Sequence, residues 1–476
     1  MKLKDLLKNI TYDDKEYNNI EVQDLCTDSR KVKVGSMFFC IEGGKVDGHN
    51  FVLDAVSKGA VAVVVSHEIP PCDIPIIVVD NVRKTLTTIC SNFYGNVDKK
   101  LKLIGVTGTN GKTTTSFILK SILETKYSVG VIGTNGCFIG NQRIETHLTT
   151  PDTLELFSLL NQMYRAGVTY VVMEVSAHAI ALDKIYGLNF DIGIFTNLTQ
   201  DHLDYFGDIE NYWSVKKHFL THYCKKIVTN IDDNYSKELL DFNGLLYTYG
   251  LYNPSDIFAV NINMDLNGSS FYVNLNDEIA KTHFNLAGLH NVYNVMAGLL
   301  AGSLCGINLL DAVKSVQNIT EVEGRFALQK IKDFYVVIDY AHSPDALENV
   351  LKTARSLTKK RLIVVFGSSG YRDSLKRPAM GTVVSKYADF SVITSDNPRY
   401  ENPLDIIKDI EKGYANDKYL TEPDRELAVQ KALSLAQKDD IVVICGKGNE
   451  KGQNIMGVEV PYSDYEEVQK FSKSTT

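Results

Sequence analysis

Ile104-Gly105-Val106-Thr107-Gly108-Thr109-Asn110-Gly111-Lys112-Thr113-Thr114 decides how this chain is read. The apolar run Leu101 to Val106 has the composition of a strand, and it feeds a turn bracketed by Gly108 and Gly111. Lys112 and the hydroxyl residues Thr113 and Thr114 then open a helix. Strand, glycine turn and helix N-terminus together make a phosphate cradle: backbone N–H groups face the anion and a lysine adds positive charge. The common nucleotide pattern separates its two glycines by four residues, and the position matching its first glycine is Val106. The loop is therefore a shortened form, with Gly108, Thr109, Asn110, Gly111 and Thr114 around the phosphates. Lys112 is expected to reach the β- and γ-phosphates and the Thr113 hydroxyl to ligate Mg²⁺.

A hard Mg²⁺ ion also takes carboxylate or water oxygens. Glu174, in Met173-Glu174-Val175-Ser176-Ala177-His178, closes an apolar strand, where an unpaired carboxylate is costly to bury. It is the first candidate for that carboxylate. Asp201-His202-Leu203-Asp204 reads by itself as a capped turn with solvated acids. Beside Glu174, His202 becomes a second candidate metal ligand.

The rest of the chain fits an enzyme built around such a loop. Its 476 residues suggest about three domains at roughly 150 residues each. A composition 44% hydrophobic and 23% charged supplies several cores. The net charge of −8, with no block of lysine and arginine, argues against a nucleic-acid partner. Charges in Met1-Lys2-Leu3-Lys4-Asp5 occupy the place where a signal peptide needs an apolar core, so a cytoplasmic protein is expected. Val295 to Leu310 is shorter than the roughly 20 residues of a membrane span and is broken by Ser303 and Asn308. Gly298, Gly302 and Gly306 share one helical face there, which predicts tight packing in a core rather than membrane insertion. The cysteines form no CxxC pair and are expected to be free, buried thiols.

Composition breaks near residues 98 and 322 divide the chain into 1–98, 99–322 and 323–476. In the second part, Val171–Val175, Ile192–Phe195 and Ile227–Val228 alternate with helical stretches, the rhythm of a parallel sheet. The third repeats it with Tyr335–Ile338, Leu362–Phe366, Ser391–Thr394 and Ile441–Ile444. Ligands gather beyond the carboxyl ends of such strands. Glu174, the Asn197–His202 segment, Asp339, Gly367, Asp396 and Gly446 all fall at those ends.

These residues resemble a known family. The loop, Glu174-Val175-Ser176, Asn197-Leu198-Thr199-Gln200-Asp201-His202-Leu203-Asp204, Gly288-Leu289-His290-Asn291-Val292-Tyr293-Asn294, Glu323-Gly324-Arg325-Phe326 and Asp339-Tyr340-Ala341-His342-Ser343-Pro344-Asp345 look like the Mur ligases. Those are ATP-dependent amide-forming enzymes of peptidoglycan precursor synthesis. The resemblance implies an α/β fold of three domains: a small N-terminal uridine-binding α/β domain, a central P-loop ATPase-like parallel sheet and a C-terminal Rossmann-like domain. It implies that Asn291, Asn294, Arg325, Asp339 and His342 hold the adenine, ribose and phosphates. It also makes Lys216 a carbamylated lysine that helps position magnesium; by spacing alone, Lys216 and Lys217 are two solvated helix lysines.

Thr27-Asp28-Ser29-Arg30, Asp47-Gly48-His49, Gly370-Tyr371-Arg372-Asp373 and Lys376-Arg377-Pro378 are similar to the members that add the third residue of the stem peptide. That likeness makes Ser29 a uridine contact, and Thr149 and Thr150 contacts to the diphosphate–muramoyl part. Ser176 and Lys184 are placed with the same substrate, a UDP-N-acetylmuramoyl dipeptide. Asp396-Asn397-Pro398-Arg399 resembles the pattern of members that add meso-diaminopimelate, and arginine suits an extra carboxylate through two parallel hydrogen bonds. Gly446-Lys447-Gly448-Asn449-Glu450 resembles the companion segment, whose glutamate would meet the substrate ammonium. The chain departs from the family where Leu148, Leu182, Lys184 and Asn449 stand for Asn, Gln, Arg and His. A monomer is expected. A lysine-adding ligase, a folylpolyglutamate synthase and a catalytically silent nucleotide-binding scaffold remain as alternatives. Asp28-Ser29-Arg30 speaks against the folate enzyme and Arg399 against lysine.

Overall fold

The run Ala60-Val61-Ala62-Val63-Val64-Val65 lacks polar alternation, as expected of a strand covered on both faces, and it forms the buried strand Ala60–Val65. The computed structural model that shows this describes residues 1–12, 20–44 and 46–474. The chain forms two compact units: Met1–Gly105 with Tyr127–Gly193 and His218–Lys226, and Val106–Lys126 with Ile194–Lys217 and Ile227–Thr476.

In the first unit a parallel sheet runs in the order Asp24–Cys26, Ser36–Phe39, Ala60–Val65, Ile76–Val78. Phe38, Val52, Ala55, Val63 and Val65 share one core on it. The helix Val82–Phe93 begins at Asn81, whose side chain accepts the Lys84 N–H and so satisfies an orphan donor. Val129–Gly133 and Tyr170–Glu174 pair in parallel, while Gly136–Ile139 and Gln142–Ile144 extend them as antiparallel hairpins.

In the second unit the helix Lys112–Leu123 packs on Leu289–Leu304. A Cβ on Gly298 or Gly302 would lie 2.5 Å from Ile118 or Ile122, so both glycines permit the close approach expected of them. Gly306 does not share that role: it follows the helix end at φ +81°, where it turns the chain. Ile257–Asp265, Gly268–Leu275 and Glu278–Phe284 form an antiparallel meander that no long apolar run in the sequence marks. These strands alternate instead, with Phe271, Val273 and Leu275 buried and Phe258, Val260 and Tyr272 exposed.

The C-terminal sheet has the order Ala327–Ile331, Phe334–Asp339, Ile441–Cys445, Leu362–Phe366, Phe390–Ile393, Tyr419–Thr421. Only the first pair is antiparallel. The last strand in sequence is thus inserted between the second and the third. Asp339, Gly367, Asp396 and Gly446 consequently emerge along one carboxyl edge. All eight cysteines are free, but Cys72 and Cys305 are only half-buried, contrary to the expectation of uniform burial. Among the described residues, no helix is long and apolar enough to cross a membrane.

Candidate active site

The strand Lys102–Thr107 delivers the loop, and the helix Lys112–Leu123 leaves it. Gly108 has φ +143° and Gly111 φ +85°. A Cβ would sit 1.9 Å from Thr196 Oγ1 at Gly108 and 2.5 Å from Asn294 Oδ1 at Gly111. Both positions need glycine for backbone conformation and for space. Asn197 accepts the Asn110 N–H at its side chain (2.9 Å) and the Thr109 N–H at its carbonyl (2.9 Å). The Thr109 hydroxyl accepts the Thr199 N–H. The loop is therefore shaped by the segment that follows the strand Ile192–Phe195. Lys112 Nζ donates to the Gly108 and Thr109 carbonyls at 3.0 and 2.8 Å.

Asn294 connects the loop to the helix Leu289–Leu304, since it accepts from Thr115 Oγ1 and donates to Asn291. Arg325 Nη2 donates to Thr113 Oγ1 at 2.8 Å, and its guanidinium lies 4.7 Å from the Tyr340 ring centre. Asp339 accepts the N–H groups of Phe326 and Ala341, each at 2.7 Å. Burial raises the Asp339 pKa, opposed by Arg325. Five residues assigned to ATP, namely Asn291, Asn294, Arg325, Asp339 and Thr113, are thus linked to the loop or to the turn that carries Arg325.

Lys216 and Lys217 separate sharply. Lys217 is the solvated lysine, paired with Glu238 at 2.8 Å. Lys216 is 1% exposed, and its Nζ donates to Gly108 O at 3.0 Å. Burial, and then the charge of Lys112, push the Lys216 amine well below the usual lysine range, with Asp201 opposing. A neutral amine is the form that can add CO₂.

Asp201 holds a cluster that no spacing rule revealed. Its carboxylate lies 3.5 Å from Lys376 Nζ, 3.6 Å from His202 Nε2 and 3.8 Å from His342 Nε2. Burial opposes its ionisation, yet Lys376, His342 and His202 outweigh that and keep the carboxyl well below the ordinary carboxylate range. His342 is fixed by an Nδ1 bond to Tyr340 O at 2.8 Å. Burial and then Lys376 lower its pKa, so the ring is biased toward the neutral form.

In the first unit, Glu174 is 1% exposed and accepts from Thr134 N at 2.9 Å and Thr134 Oγ1 at 3.1 Å. Thr149 Oγ1 lies 3.1 Å from Thr134 Oγ1, and Thr150 Oγ1 donates to Glu174 O at 2.8 Å. Ser176 caps the next short helix and contacts Thr150 Oγ1. The same unit contains a cavity of about 690 Å³ lined by Ser29, Phe38, Phe51, Arg83, Leu182 and Lys184, among others. Two of the family departures, Leu182 and Lys184, therefore face one cavity, where Lys184 Nζ pairs with Asp152 at 2.6 Å.

The residues assigned to the incoming amino acid converge in the second unit. Asn397 Nδ2 donates to Glu450 Oε2 at 3.1 Å. Lys447, fully buried, donates to Asn397 Oδ1 at 3.0 Å and Glu450 Oε2 at 2.8 Å, and lies 3.7 Å from Asp396. Tyr340 O–H donates to Glu450 Oε1 at 3.3 Å. Gly446 has φ +116°, and a Cβ there would lie 3.5 Å from the Asp396 carboxylate. Arg399, at φ +55°, is tied through its backbone to Asn454 and Met456. Burial and the neighbouring Arg372 lower its pKa, against Asp396, Glu450 and Asp204. A substrate carboxylate would relieve that positive crowding.

Matches to known proteins follow this division of labour. Residues 21–94 match the model for the Mur ligase family, catalytic domain; 106–302 match the Mur ligase middle domain, and 324–448 match the Mur ligase, glutamate ligase domain. A relative from Clostridium acetobutylicum is 43% identical over 488 residues, covering 99% of each chain. The chain belongs to the Mur ligase family. That relative is named UDP-N-acetylmuramoyl-L-alanyl-D-glutamate--2,6-diaminopimelate ligase 1. A Caldanaerobacter subterraneus protein, the corresponding 2,6-diaminopimelate ligase by name, is 41% identical and covers 99% of this chain and 98% of its own. A solved structure of a UDP-N-acetylmuramoyl-L-alanyl-D-glutamate--2,6-diaminopimelate ligase shares 30% identity at a TM-score of 0.71, covering 100% of this chain and 99% of the other. Another, of the MurF ligase from Thermotoga maritima in complex with ADP, shares 18% identity at TM-score 0.68, covering 96% and 100%; it shows the fold.

Within this Mur ligase, the residues missed from sequence are Asp201, Tyr340, Lys376 and Lys447, with Arg372 beside Arg399. All five lie inside stretches that carry the family resemblance, which was the signal available, but most of their partners are distant in sequence. His290 offers a check on the surroundings of Asn291. Burial brings its imidazole down to about 4, against about 6.5 in an unfolded chain. Between pH 6.5 and 4 the unfolded chain binds the extra proton, so stability falls as pH falls through that window, by about 3 kcal/mol in all. The thermal midpoint of His290→Leu should therefore drop less than wild type between pH 7 and 4.5. An equal drop would assign acid sensitivity elsewhere.

Proposed function

We propose that this protein joins meso-diaminopimelate to the γ-carboxylate of UDP-N-acetylmuramoyl-L-alanyl-D-glutamate, with ATP as co-substrate, through an acyl phosphate. The observation that carries the choice of amino acid is the cluster of Arg399, Asn397 and Glu450, which offers a cation for a second carboxylate and an anion for an ammonium. The names of full-length relatives at about 40% identity point the same way.

A carboxylate does not condense with an amine at neutral pH because oxide is a poor leaving group. Transfer of the γ-phosphoryl group from ATP to the glutamate carboxylate releases ADP and creates a phosphate leaving group. That step is mainly positioning and charge neutralisation. Lys112 and the loop N–H groups would hold the phosphates, and Arg325, Asn291, Asn294 and Asp339 the rest of the nucleotide. His342 would act beside the transferred group, its ring oriented by the Tyr340 carbonyl. The amine of diaminopimelate, as the free base, then attacks the acyl carbon; the nitrogen gives up a proton to the departing phosphate or to water as the tetrahedral oxyanion collapses and phosphate leaves with the C–O bond electrons. Positive groups placed at that oxyanion lower the barrier.

Magnesium, when bound, would neutralise phosphate charge. Within the second unit Thr113 would supply a hard oxygen donor and His202 an imidazole; Glu174, in the first unit, is the carboxylate that the sequence assigns to the ion. Lys216 fits the same role after CO₂ addition: its neutral amine would form an N–C bond and release a proton, becoming an anionic carbamate. Ser29, Thr149, Thr150, Ser176 and Lys184 are assigned to the UDP-muramoyl dipeptide.

The deciding experiment offers the protein ATP, the UDP-muramoyl dipeptide and a panel of amino acids, with products read by mass. One diaminopimelate residue should be added per ADP formed, with L-lysine used poorly. Preferential lysine addition would overturn the assignment of the amino acid, and ADP formation indifferent to both co-substrates would overturn the ligase reading.

A further inference from the structure

We infer that Arg425 and Asp464 form a buried positioning clamp for the amino-acid site, setting the spacing of the two strand ends that present Asn397 and Glu450. Arg425 belongs to none of the residues assigned to substrate or nucleotide. The inference rests on the reading of Asn397, Arg399 and Glu450 as the site for the incoming amino acid.

Arg425 opens the helix Arg425–Leu435, and Asp464 opens the helix Asp464–Ser474. Both side chains have 0% exposure. The pairing is bidentate: Nε donates to Asp464 Oδ1 at 2.9 Å and Nη2 to Oδ2 at 2.8 Å. Tyr462 O–H donates to the same carboxylate at 2.8 Å. The guanidinium also donates through Nη1 to Ser395 O at 3.1 Å and through Nη2 to Cys445 O at 2.9 Å.

Those two carbonyls matter because of where they lie. Ser395 immediately precedes Asp396-Asn397, and Cys445 immediately precedes Gly446-Lys447. The strands Phe390–Ile393 and Ile441–Cys445 are not neighbours, because Leu362–Phe366 lies between them. No ladder hydrogen bond joins them directly; each is laddered only to the strand between them on that side. Arg425 spans that gap with one rigid, planar group.

The chemistry of the pair supports a geometric role. A buried ion pair loses so much hydration that well-packed apolar side chains commonly hold two elements together as well or better. Simple adhesion of the two helices does not need it, since Ala428, Val429, Ala432, Leu433 and Val468 already share an apolar core. What apolar side chains cannot do is grip two carbonyl oxygens in fixed directions. A lysine could not reproduce the fork either. Downstream of the clamp, Lys447 and Asn397 both bond Glu450, so a shift of either strand end would misplace the group assigned to the ammonium.

The test uses the whole protein and the double variant Arg425→Met/Asp464→Leu, which keeps the interior filled while removing the fork. The expected result is a thermal midpoint close to wild type and a KM for meso-diaminopimelate raised roughly tenfold or more, as misplacement of about 1 Å can do. KM for ATP and for the UDP-muramoyl dipeptide should stay within about twofold, since the segments that follow Ser395 and Cys445 carry no residue assigned to either. Tyr462→Phe, a smaller change, should raise the same KM in the same direction by about twofold to threefold through a looser Asp464 carboxylate. Should the double variant not fold, Arg425→Lys and Tyr462→Phe decide: both with wild-type KM for the diacid would remove the clamp. Proportional rises in all three KM values would also overturn it, because that is general loosening. If wild type itself shows no preference for the diacid and none is lost in Arg399→Ala, the site reading fails. If wild type shows that preference and the clamp variants keep the wild-type KM, only the clamp fails.

Discussion

Lys112→Ala is expected to lower ADP formation in the presence of both co-substrates by about 10²–10³-fold, the cost of removing one group aimed at transition-state charge. Lys112 is the first residue of the helix Lys112–Leu123, and its ammonium folds over the loop to within 3.0 Å of two loop carbonyls. A phosphate in the cradle would offer that ammonium a full negative charge in place of two carbonyl dipoles. Phosphoryl transfer spreads charge over the equatorial oxygens, so the loss should appear in kcat as well as in KM. The loop itself should survive the change, since Asn197, Thr199 and Asn294 shape it through contacts that do not involve the lysine side chain. Trapping the acyl phosphate with hydroxylamine separates the first chemical step from the second. Wild-type hydroxamate yield in the variant would sink the cradle assignment.

Arg399→Ala should reduce kcat/KM for meso-diaminopimelate by about 10²-fold, equivalent to about 2–3 kcal/mol, the range for a hydrogen-bonded charge removed from a recognition site. Activity with L-lysine should change little, so discrimination between the two falls. The backbone at Arg399 is held by a hydrogen bond from its N–H to Asn454 O at 2.9 Å and one from Met456 N–H to its carbonyl at 2.6 Å. Alanine leaves both in place, which makes the loss a matter of the guanidinium rather than the loop. Arg399→Lys should rescue poorly, because an ammonium cannot form the parallel pair of bonds to a carboxylate. Unchanged discrimination in Arg399→Ala would remove the basis for naming the diacid.

Much of the chemistry was legible in local sequence. The loop was legible because its chemistry is contiguous: strand, glycines, lysine and helix start lie within a dozen residues. The strands Ile192–Phe195 and Leu362–Phe366 were legible because strands covered on both faces read as unbroken apolar runs. The meander from Ile257 to Phe284 was not, because one face of each strand is solvated and its pattern merges with that of loops. Asp201 looked like a capped turn because its partners Lys376 and His342 are more than a hundred residues away.

The chain by itself determined the three-part α/β order, the loop, the strand-end positions of Glu174, Asp339 and Asp396, and the resemblance that Arg399 refines toward a diacid. Those are properties of residue type and short-range spacing. Tertiary structure alone decided which of two adjacent lysines is buried, how Lys447 joins Asn397 to Glu450, and that Arg425 reaches two strands that do not touch. Burial, desolvation and the insertion of Ile441–Cys445 into the sheet depend on contacts between distant segments. Identical residue types therefore acquired different roles from their surroundings.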